Sequence, residues 1–205
     1  MNRFFHVSIA ALLLAGLVSC GNAEQKPASP SFDEVLLSRR SVRSYDAEKK
    51  ISQEEVTTLM TAVQEAPSWA NTETSKYYVA ISEEKRTALL EMIGGNKERV
   101  INAPVLIVST FETGKSGFFR GQPTNEVGDG WGAYDNGLSN AYLILKAREM
   151  GFDTLIMGMR DADAIRAEFG IPETEAIMAV ISLGYRAGEP QRPDRRPLED
   201  VVKFL

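Results

Sequence analysis

The chain has 205 residues, of which 43% are hydrophobic and 25% charged, and its formal net charge is −5. This is the composition of an ordinary globular protein with a core, and its acidic balance gives no electrostatic support to nucleic-acid binding. Because no internal repeat or low-complexity tract follows residue 30, we expect one folded domain over residues 31–205.

Residues 1–19 have the pattern of a signal peptide. Arg3 gives a positive start, and the apolar run over residues 7–18 is too short to span a bilayer comfortably. The run ends in Leu17-Val18-Ser19-Cys20-Gly21, which resembles the lipobox of bacterial lipoproteins, in which the signal is cut before the Cys and the Cys is acylated. An ordinary signal peptide, or a buried helix with a chance Cys, is the alternative. The lipobox is favoured because the chain's only cysteine lies where that motif needs it.

This processing would place the protein in the bacterial cell envelope. Acyl chains on Cys20 would hold it on a membrane, which we expect to be the outer membrane on its periplasmic side. Residues 20–30 would form the anchor and a polar, Pro-rich tether. The only histidine, His6, would leave with the signal. Ser-His-Asp and Cys-His hydrolysis and a Cys/His zinc site are then excluded, so an enzyme here would take its chemistry from a cofactor.

The folded domain begins with a capping box, Ser31 to Glu34, which predicts a short helix. The helix runs into Arg39, Arg40 and Arg43, with hydroxyl residues between them. Guanidinium forks and hydroxyls suit a phosphate group. On the local pattern alone, a solvated basic surface turn is the more usual interpretation, because short motifs give many false positives.

Helices and strands alternate through the rest of the chain, which favours an α+β architecture with helices over a central sheet. The predicted helices are a segment from Ser52 to near Pro67, residues 83–93, residues 133–150 and a segment from Asp161 to Phe169. The predicted strands are residues 77–81, 103–110, 154–157 and 176–183. The helix over residues 133–150 is apolar nearly all round, so we expect it to be buried on most sides.

A connector over residues 112–132 contains six glycines and three large aromatic residues. A loop this long is usually functional or disordered, and its aromatics favour a lid or a loop exchanged with a partner. Gly114-Lys115-Ser116 imitates the end of a phosphate-binding loop. Ser109 stands where that motif needs a glycine, so a nucleotide triphosphatase is rejected.

Four motifs together resemble the nitroreductase family of flavin enzymes, over about residues 31–205. Residues 39–45 match the family's opening motif Arg-Arg/His-Ser-x-Arg/Lys-x-Phe/Tyr. Residues 66–71 resemble its Ala-Pro-Ser-x-x-Asn, and residues 158–161 stand at its Gly/Glu-Gly-Phe-Asp. Residues 195–199 resemble the tail Arg-x-Pro-Leu-Glu. Because these four motifs occur in the family's order, we now interpret the cluster of Arg39, Arg40 and Arg43 as an anion site.

The resemblance implies an α+β fold with a central, mainly antiparallel sheet covered by helices, in a homodimer that binds FMN between its subunits. Arg39 and Arg40 would take the phosphate end, and Arg43 would lie near N1 and O2, where a cation favours the reduced flavin. Asn71 would contact the flavin, and Arg195 would close on the phosphate. The cofactor-binding residues expected from the resemblance are Arg39, Arg40, Ser41, Arg43, Asn71, Met157, Gly158, Met159, Arg195 and Arg196.

The sequence departs from the family pattern in three places. Glu73-Thr74-Ser75 replaces the usual Gln-Pro-Trp, and Met159 replaces a glycine. Pro193 stands where the family often has Lys, so Arg192 or Arg196 would assist Arg195. The replacement at residues 73–75 argues against Glu73 as a flavin contact and predicts an altered pocket wall.

The implied function is that of an FMN-dependent oxidoreductase. Hydride would pass from NAD(P)H or another donor through flavin N5 to a nitroaromatic, a quinone or a similar small acceptor, and no acidic or nucleophilic side chain is needed. The alternative is a non-catalytic, lipid-anchored flavin- or ligand-binding protein of the same fold. It is favoured by the scarcity of NAD(P)H outside the cytoplasm and by the departures at Glu73 and Met159. A structural envelope lipoprotein would have neither flavin nor pocket.

Overall fold

The computed structural model describes residues 29–205, so the predicted signal peptide, the lipobox at Cys20 and most of the tether lie outside the described residues. No helix in the described part of the chain is long and apolar enough to cross a membrane. The helices are α1 (Phe32–Ser38), α2 (Gln53–Val63), α3 (Glu83–Leu90), α4 (Lys97–Val100), α5 (Gly130–Glu149) and α6 (Ala162–Phe169). The strands are β1 (Ser75–Ala80), β2 (Val105–Glu112), β3 (Phe118–Phe119), β4 (Gln122–Pro123), β5 (Asp153–Met157) and β6 (Glu175–Gly184).

The central sheet has four strands in the order β1-β2-β6-β5, and each neighbouring pair is antiparallel. Helices α2 and α5 pack on one face with Ile107 and Ile181, whereas α3, α4 and α6 pack on the other with Leu106 and Val180. Successive residues of a strand point to opposite faces, so the strands covered on both sides, β2 and β6, are largely apolar. The predicted α+β fold with a central antiparallel sheet is confirmed.

Local signals account for the helix starts. Ser31 and Ser52 form complete capping boxes at α1 and α2, and the Asp161 side chain accepts a hydrogen bond from the Ala164 N–H at the start of α6. Each cap satisfies backbone donors that have no partner inside the helix. The predicted capping residues are therefore confirmed.

The connector over residues 112–132 is shorter than predicted. Strand β2 continues to Glu112, β3 and β4 form a small hairpin, and α5 begins at Gly130. Because glycine is a poor helix former, Gly130 and Gly132 were assigned to the connector, and the predicted helix start at residue 133 is too late. Position 132, inside α5, requires a glycine because a Cβ there would lie 2.4 Å from the Phe111 ring. Helix α3 also ends at Leu90, and the short helix α4 was not predicted.

The prediction that α5 is buried on most sides is wrong for the single chain. Tyr134 and Tyr142 are 60% and 41% exposed. Its buried face is largely polar and carries Asp135, Asn136, Ser139 and Asn140. These groups are satisfied internally: the Tyr77 hydroxyl donates to Ser139 Oγ at 2.7 Å, and the Asn140 Nδ2 donates to Asn136 Oδ1 at 3.1 Å. Buried polar groups are tolerated when they are paired in this way.

Candidate functional site

The arginine-rich segment lies along the edge of β5. Ser41 forms a bridge with Thr154, and the Val42 N–H donates to the Thr154 carbonyl at 3.0 Å. The Val42 side chain is buried in the core, whereas Ser41 and Arg43 are exposed. The backbone bond and the buried Val42 side chain thus hold the segment against β5, while Ser41 and Arg43 face outward.

Two arginines that the sequence analysis missed fix this segment to the sheet. The buried Asp153 carboxylate accepts hydrogen bonds from Arg186 Nε at 2.8 Å and Nη2 at 2.6 Å, and Arg148 Nη1 approaches it at 3.4 Å. Arg186 Nη2 also donates to the Ser38 carbonyl, and Arg148 Nε donates to Ser38 Oγ, both at 3.1 Å. The hydrogen bonds to Asp153 raise the pKa of Arg186 above its usual value. No local sequence signal points to a network that joins residues so far apart.

Arg39 and Arg40 come from the start of the domain and Arg195 from its C-terminal tail, and Arg195 lies near enough to Arg39 for its positive charge to act on that guanidinium. Burial lowers the pKa of Arg39, and the positive charges of Arg195 and Arg40 lower it further. Arg40 Nη1 donates to the carbonyls of Leu37 and Arg39 at 2.7 Å, while its Nε is buried and has no hydrogen-bond partner in the described part of the chain. Within residues 29–205, none of the three arginines forms an ion pair with a carboxylate. A partly buried cluster of cations without a counter-charge fits an anion such as a phosphate.

The end of β5 places the other predicted site residues. Gly158 lies four residues after Thr154, about 13 Å along the strand. Arg160 Nη1 donates to the Gly158 carbonyl at 3.0 Å, which fixes the turn. The Met157 side chain lies in the core, so only its backbone could contact a ligand. The Met159 side chain is 65% exposed, and it lines a cavity of about 540 Å³ together with Met92 and Gly94.

Asn71 does not join the arginine cluster within one chain. The Trp69 N–H donates to Asp135 Oδ2 at 3.0 Å near the start of α5, whereas the arginine segment is tied to Arg148 near the end of the same helix. Thirteen helical residues separate these two anchors, about 20 Å along the axis. The turn that carries Asn71 borders a groove of about 700 Å³ between α2, β1 and α5, and the predicted cofactor residues do not line this groove.

Comparison with known proteins agrees with the fold. Residues 36–185 match the nitroreductase family, and the chain belongs to that family. A Bacillus subtilis (strain 168) relative, YdgI, is 25% identical over 202 residues, covering 84% of this chain and 97% of its own. YodC from the same strain is 28% identical over 197 residues, covering 84% and 98%. Both are named putative NAD(P)H nitroreductases.

Solved structures share the architecture. An FMN complex of a putative nitroreductase from Exiguobacterium sibiricum 255-15 aligns with a TM-score of 0.77 at 22% identity, covering 88% of this chain and 100% of its own. A nitroreductase family protein from Streptococcus pneumoniae TIGR4 has a TM-score of 0.75 at 21% identity, covering 85% and 100%. The enone reductase CLA-ER has a TM-score of 0.76 at 19% identity, covering 85% and 97%. At these identities the likeness establishes the fold, and the predicted nitroreductase-like fold is confirmed.

Proposed function

We propose that the protein is an FMN-dependent oxidoreductase that transfers hydride from NAD(P)H to a nitroaromatic, a quinone or a similar small acceptor. The observation that carries the proposal is the cluster of Arg39, Arg40 and Arg195, which has no carboxylate partner among the described residues and lies beside the strand that leads to Gly158. The names of the relatives support NAD(P)H as the donor. When bound, FMN would supply the acceptance and donation of hydride.

The arginines would hold the phosphate of the cofactor. Arg39 and Arg40 are half-buried, and charge-assisted hydrogen bonds are stronger where solvent is partly excluded. The exposed Arg195 and Arg196 come from the C-terminal tail and would close over the phosphate from the other side. The Ser41 hydroxyl would add a donor. Two separate parts of the chain would thus bind one dianionic group.

The remaining residues would act on the flavin ring. Arg43 Nη1 donates to the Ser41 carbonyl at 3.2 Å, which directs the guanidinium back along the segment. A fixed cation near the pyrimidine part of the ring favours the additional negative charge of the reduced cofactor. The backbone amides from Met157 to Met159 would provide hydrogen bonds at the end of β5. The exposed Met159 side chain would border the space in which donor and acceptor bind.

We also propose that the active form is a homodimer. Tyr134 and Tyr142 lie two turns apart on the exposed side of α5, and in the C-terminal tail Leu198, Val201 and Phe204 are exposed. Large apolar side chains left exposed in this way support an interaction surface. A two-fold pairing along α5 would also bring the Asn71 turn of each subunit to the arginine cluster of its partner. This pairing would complete a site that one chain leaves divided.

We propose that acylated Cys20 anchors the protein in the bacterial cell envelope. The lipobox pattern is the only support for this proposal. Metabolic labelling with a radioactive fatty acid tests it. The full chain should incorporate the label, whereas Cys20→Ser should not. An equally labelled Cys20→Ser variant would contradict the anchor.

The experiment for the enzymatic proposal is anaerobic mixing of the purified protein with NADH or NADPH, followed by an acceptor. We expect yellow protein with one flavin per chain, loss of the oxidised-flavin absorbance with at least one donor, and its return with a quinone or a nitroaromatic. Bound flavin that neither donor bleaches would favour the non-catalytic binding protein. A colourless protein that does not take up added FMN would contradict the cofactor as well.

A further inference from the structure

The turn from Ser68 to Glu73 has an unusual backbone. Ala70, Asn71 and Glu73 have φ angles of 47°, 55° and 50°, a left-handed conformation that costs free energy for residues with a Cβ. Such a conformation persists only where its surroundings hold it. The Trp69 N–H donates to Asp135 at 3.0 Å, and the Thr72 and Ser116 hydroxyl oxygens lie 2.7 Å apart. These bonds fix the turn to α5 and to the loop before β3.

Glu73 makes two further hydrogen bonds inside the turn. Its N–H donates to Ser68 Oγ at 3.0 Å, and its Oε1 accepts from Asn71 Nδ2 at 2.8 Å. A carboxylate can only accept, so the amide nitrogen of Asn71 must face Glu73 and its oxygen must face away. Ser68 Oγ is already an acceptor and keeps its hydrogen to donate. Asn71 Oδ1 makes no hydrogen bond with any other described residue.

We propose that Glu73 is a positioning residue that fixes the Asn71 carboxamide with its oxygen outward. The turn then presents one acceptor, Asn71 Oδ1, and one hydroxyl donor, Ser68. This pair complements an imide edge, in which an N–H lies between two carbonyls, and the N3 edge of FMN has this pattern. The inference rests on the proposed function, because it takes the flavin as the ligand that Asn71 meets.

The advantage of Glu73 is pre-organisation. A free carboxamide can present either its oxygen or its nitrogen, and binding must then select one orientation. A glutamine at position 73, as in the usual family pattern, could either donate to or accept from Asn71, so it would not select one orientation of the Asn71 carboxamide. A glutamate leaves one choice, so the cost of ordering the amide is met before the ligand arrives. The departure from the family pattern is therefore a means of selecting the imide N–H.

The test measures the affinity of the flavin-free full-length protein for FMN and for N3-methyl-FMN, which lacks the N3 hydrogen, by quenching of flavin fluorescence. Wild type should prefer FMN. Glu73→Ala should bind FMN roughly three- to tenfold more weakly, the effect of one hydrogen bond, and its preference for FMN should fall by a similar factor. Glu65→Ala is the matched control, because Glu65 is exposed and forms no side-chain hydrogen bond or ion pair within residues 29–205. It should behave as wild type.

Two additional variants separate positioning from folding and from charge. Glu73→Gly removes the carboxylate but accepts the left-handed φ without strain, so it should lose the preference as Glu73→Ala does. In an Asn71→Ala background, Glu73→Ala should change FMN affinity no further, because Glu73 acts through Asn71. The inference would be overturned if Glu73→Gly kept the wild-type preference for FMN over N3-methyl-FMN. It would also be overturned if Glu73→Ala weakened FMN binding as much in the Asn71→Ala background as in the wild type. A wild-type protein that binds no FMN would overturn the proposed function itself, and this inference with it.

Discussion

Replacement of Asp153 by alanine should strongly destabilise the fold. Its carboxylate is 3% exposed and contacts Arg186 at 2.8 and 2.6 Å and Arg148 at 3.4 and 3.5 Å. Without it, two partly buried guanidiniums lose the buried carboxylate that they share. Removing one partner of a buried ion pair costs about 3–5 kcal/mol. Arg186 keeps Glu189 at 2.7 Å and the Ser38 carbonyl, so we expect the lower end, about 3 kcal/mol.

Urea unfolding followed by tryptophan fluorescence measures this cost. Asp163→Ala is the control, because Asp163 is exposed and makes no side-chain hydrogen bond or ion pair in the described part of the chain; it should change stability by less than about 0.5 kcal/mol. Adding Arg186→Met to Asp153→Ala should recover part of the loss, since it removes one unpaired charge. A loss below about 1 kcal/mol for Asp153→Ala would refute the claim that this carboxylate holds the arginine segment to the sheet.

Three further substitutions test the packing, the pH dependence and the capping. Gly184→Ala should cost about 1–3 kcal/mol, because its Cβ would lie 2.6 Å from Tyr45 Cδ1; Gly188→Ala, with open space around it, should be neutral in thermal unfolding. Burial raises the pKa of Tyr77 to about 12, so its neutral phenol stabilises the fold fully below about pH 10 and less as the pH rises toward 12. In urea unfolding, the free energy of unfolding should therefore fall less from pH 9 to pH 11 in Tyr77→Phe than in the wild type. An equal fall in both proteins would contradict this. Ser52→Ala should cost about 1 kcal/mol of unfolding free energy through loss of the capping box, and no loss would contradict that role.

Local patterns predicted most of the fold. The two capping boxes and the apolar strand runs depend on neighbouring residues, and they appear where the sequence placed them. The start of α5 was misplaced because Gly130 and Gly132 are poor helix formers, and only the contact with Phe111 accounts for Gly132. The polar buried face of α5 was missed because its hydrogen-bond partners are distant in sequence: they come from β1, from β2, from the turn that carries Asn71 and from the loop after β2.

The site was predicted in part. Motifs at both ends of the domain indicated an anion site, and in the structure Arg195 is near enough to Arg39 for its charge to lower the pKa of that guanidinium. The separation of Asn71 from this cluster was not predicted, because the order of motifs along the chain carries no information on which end of α5 each one meets. The ion pair of Asp153 and Arg186 was not predicted either, because it depends on the antiparallel register of β5 and β6.

The central claim is that Arg39, Arg40 and Arg195 bind a phosphate group. Comparing the affinity of the flavin-free protein for FMN and for riboflavin, which lacks only the phosphate, tests it most directly. Two or more charge-assisted hydrogen bonds predict that FMN binds at least about 100-fold more tightly. Arg195→Gln should reduce this preference roughly tenfold, and the exposed Arg99→Gln on α4 should leave it unchanged. Equal affinity of the wild-type protein for the two flavins would contradict the account.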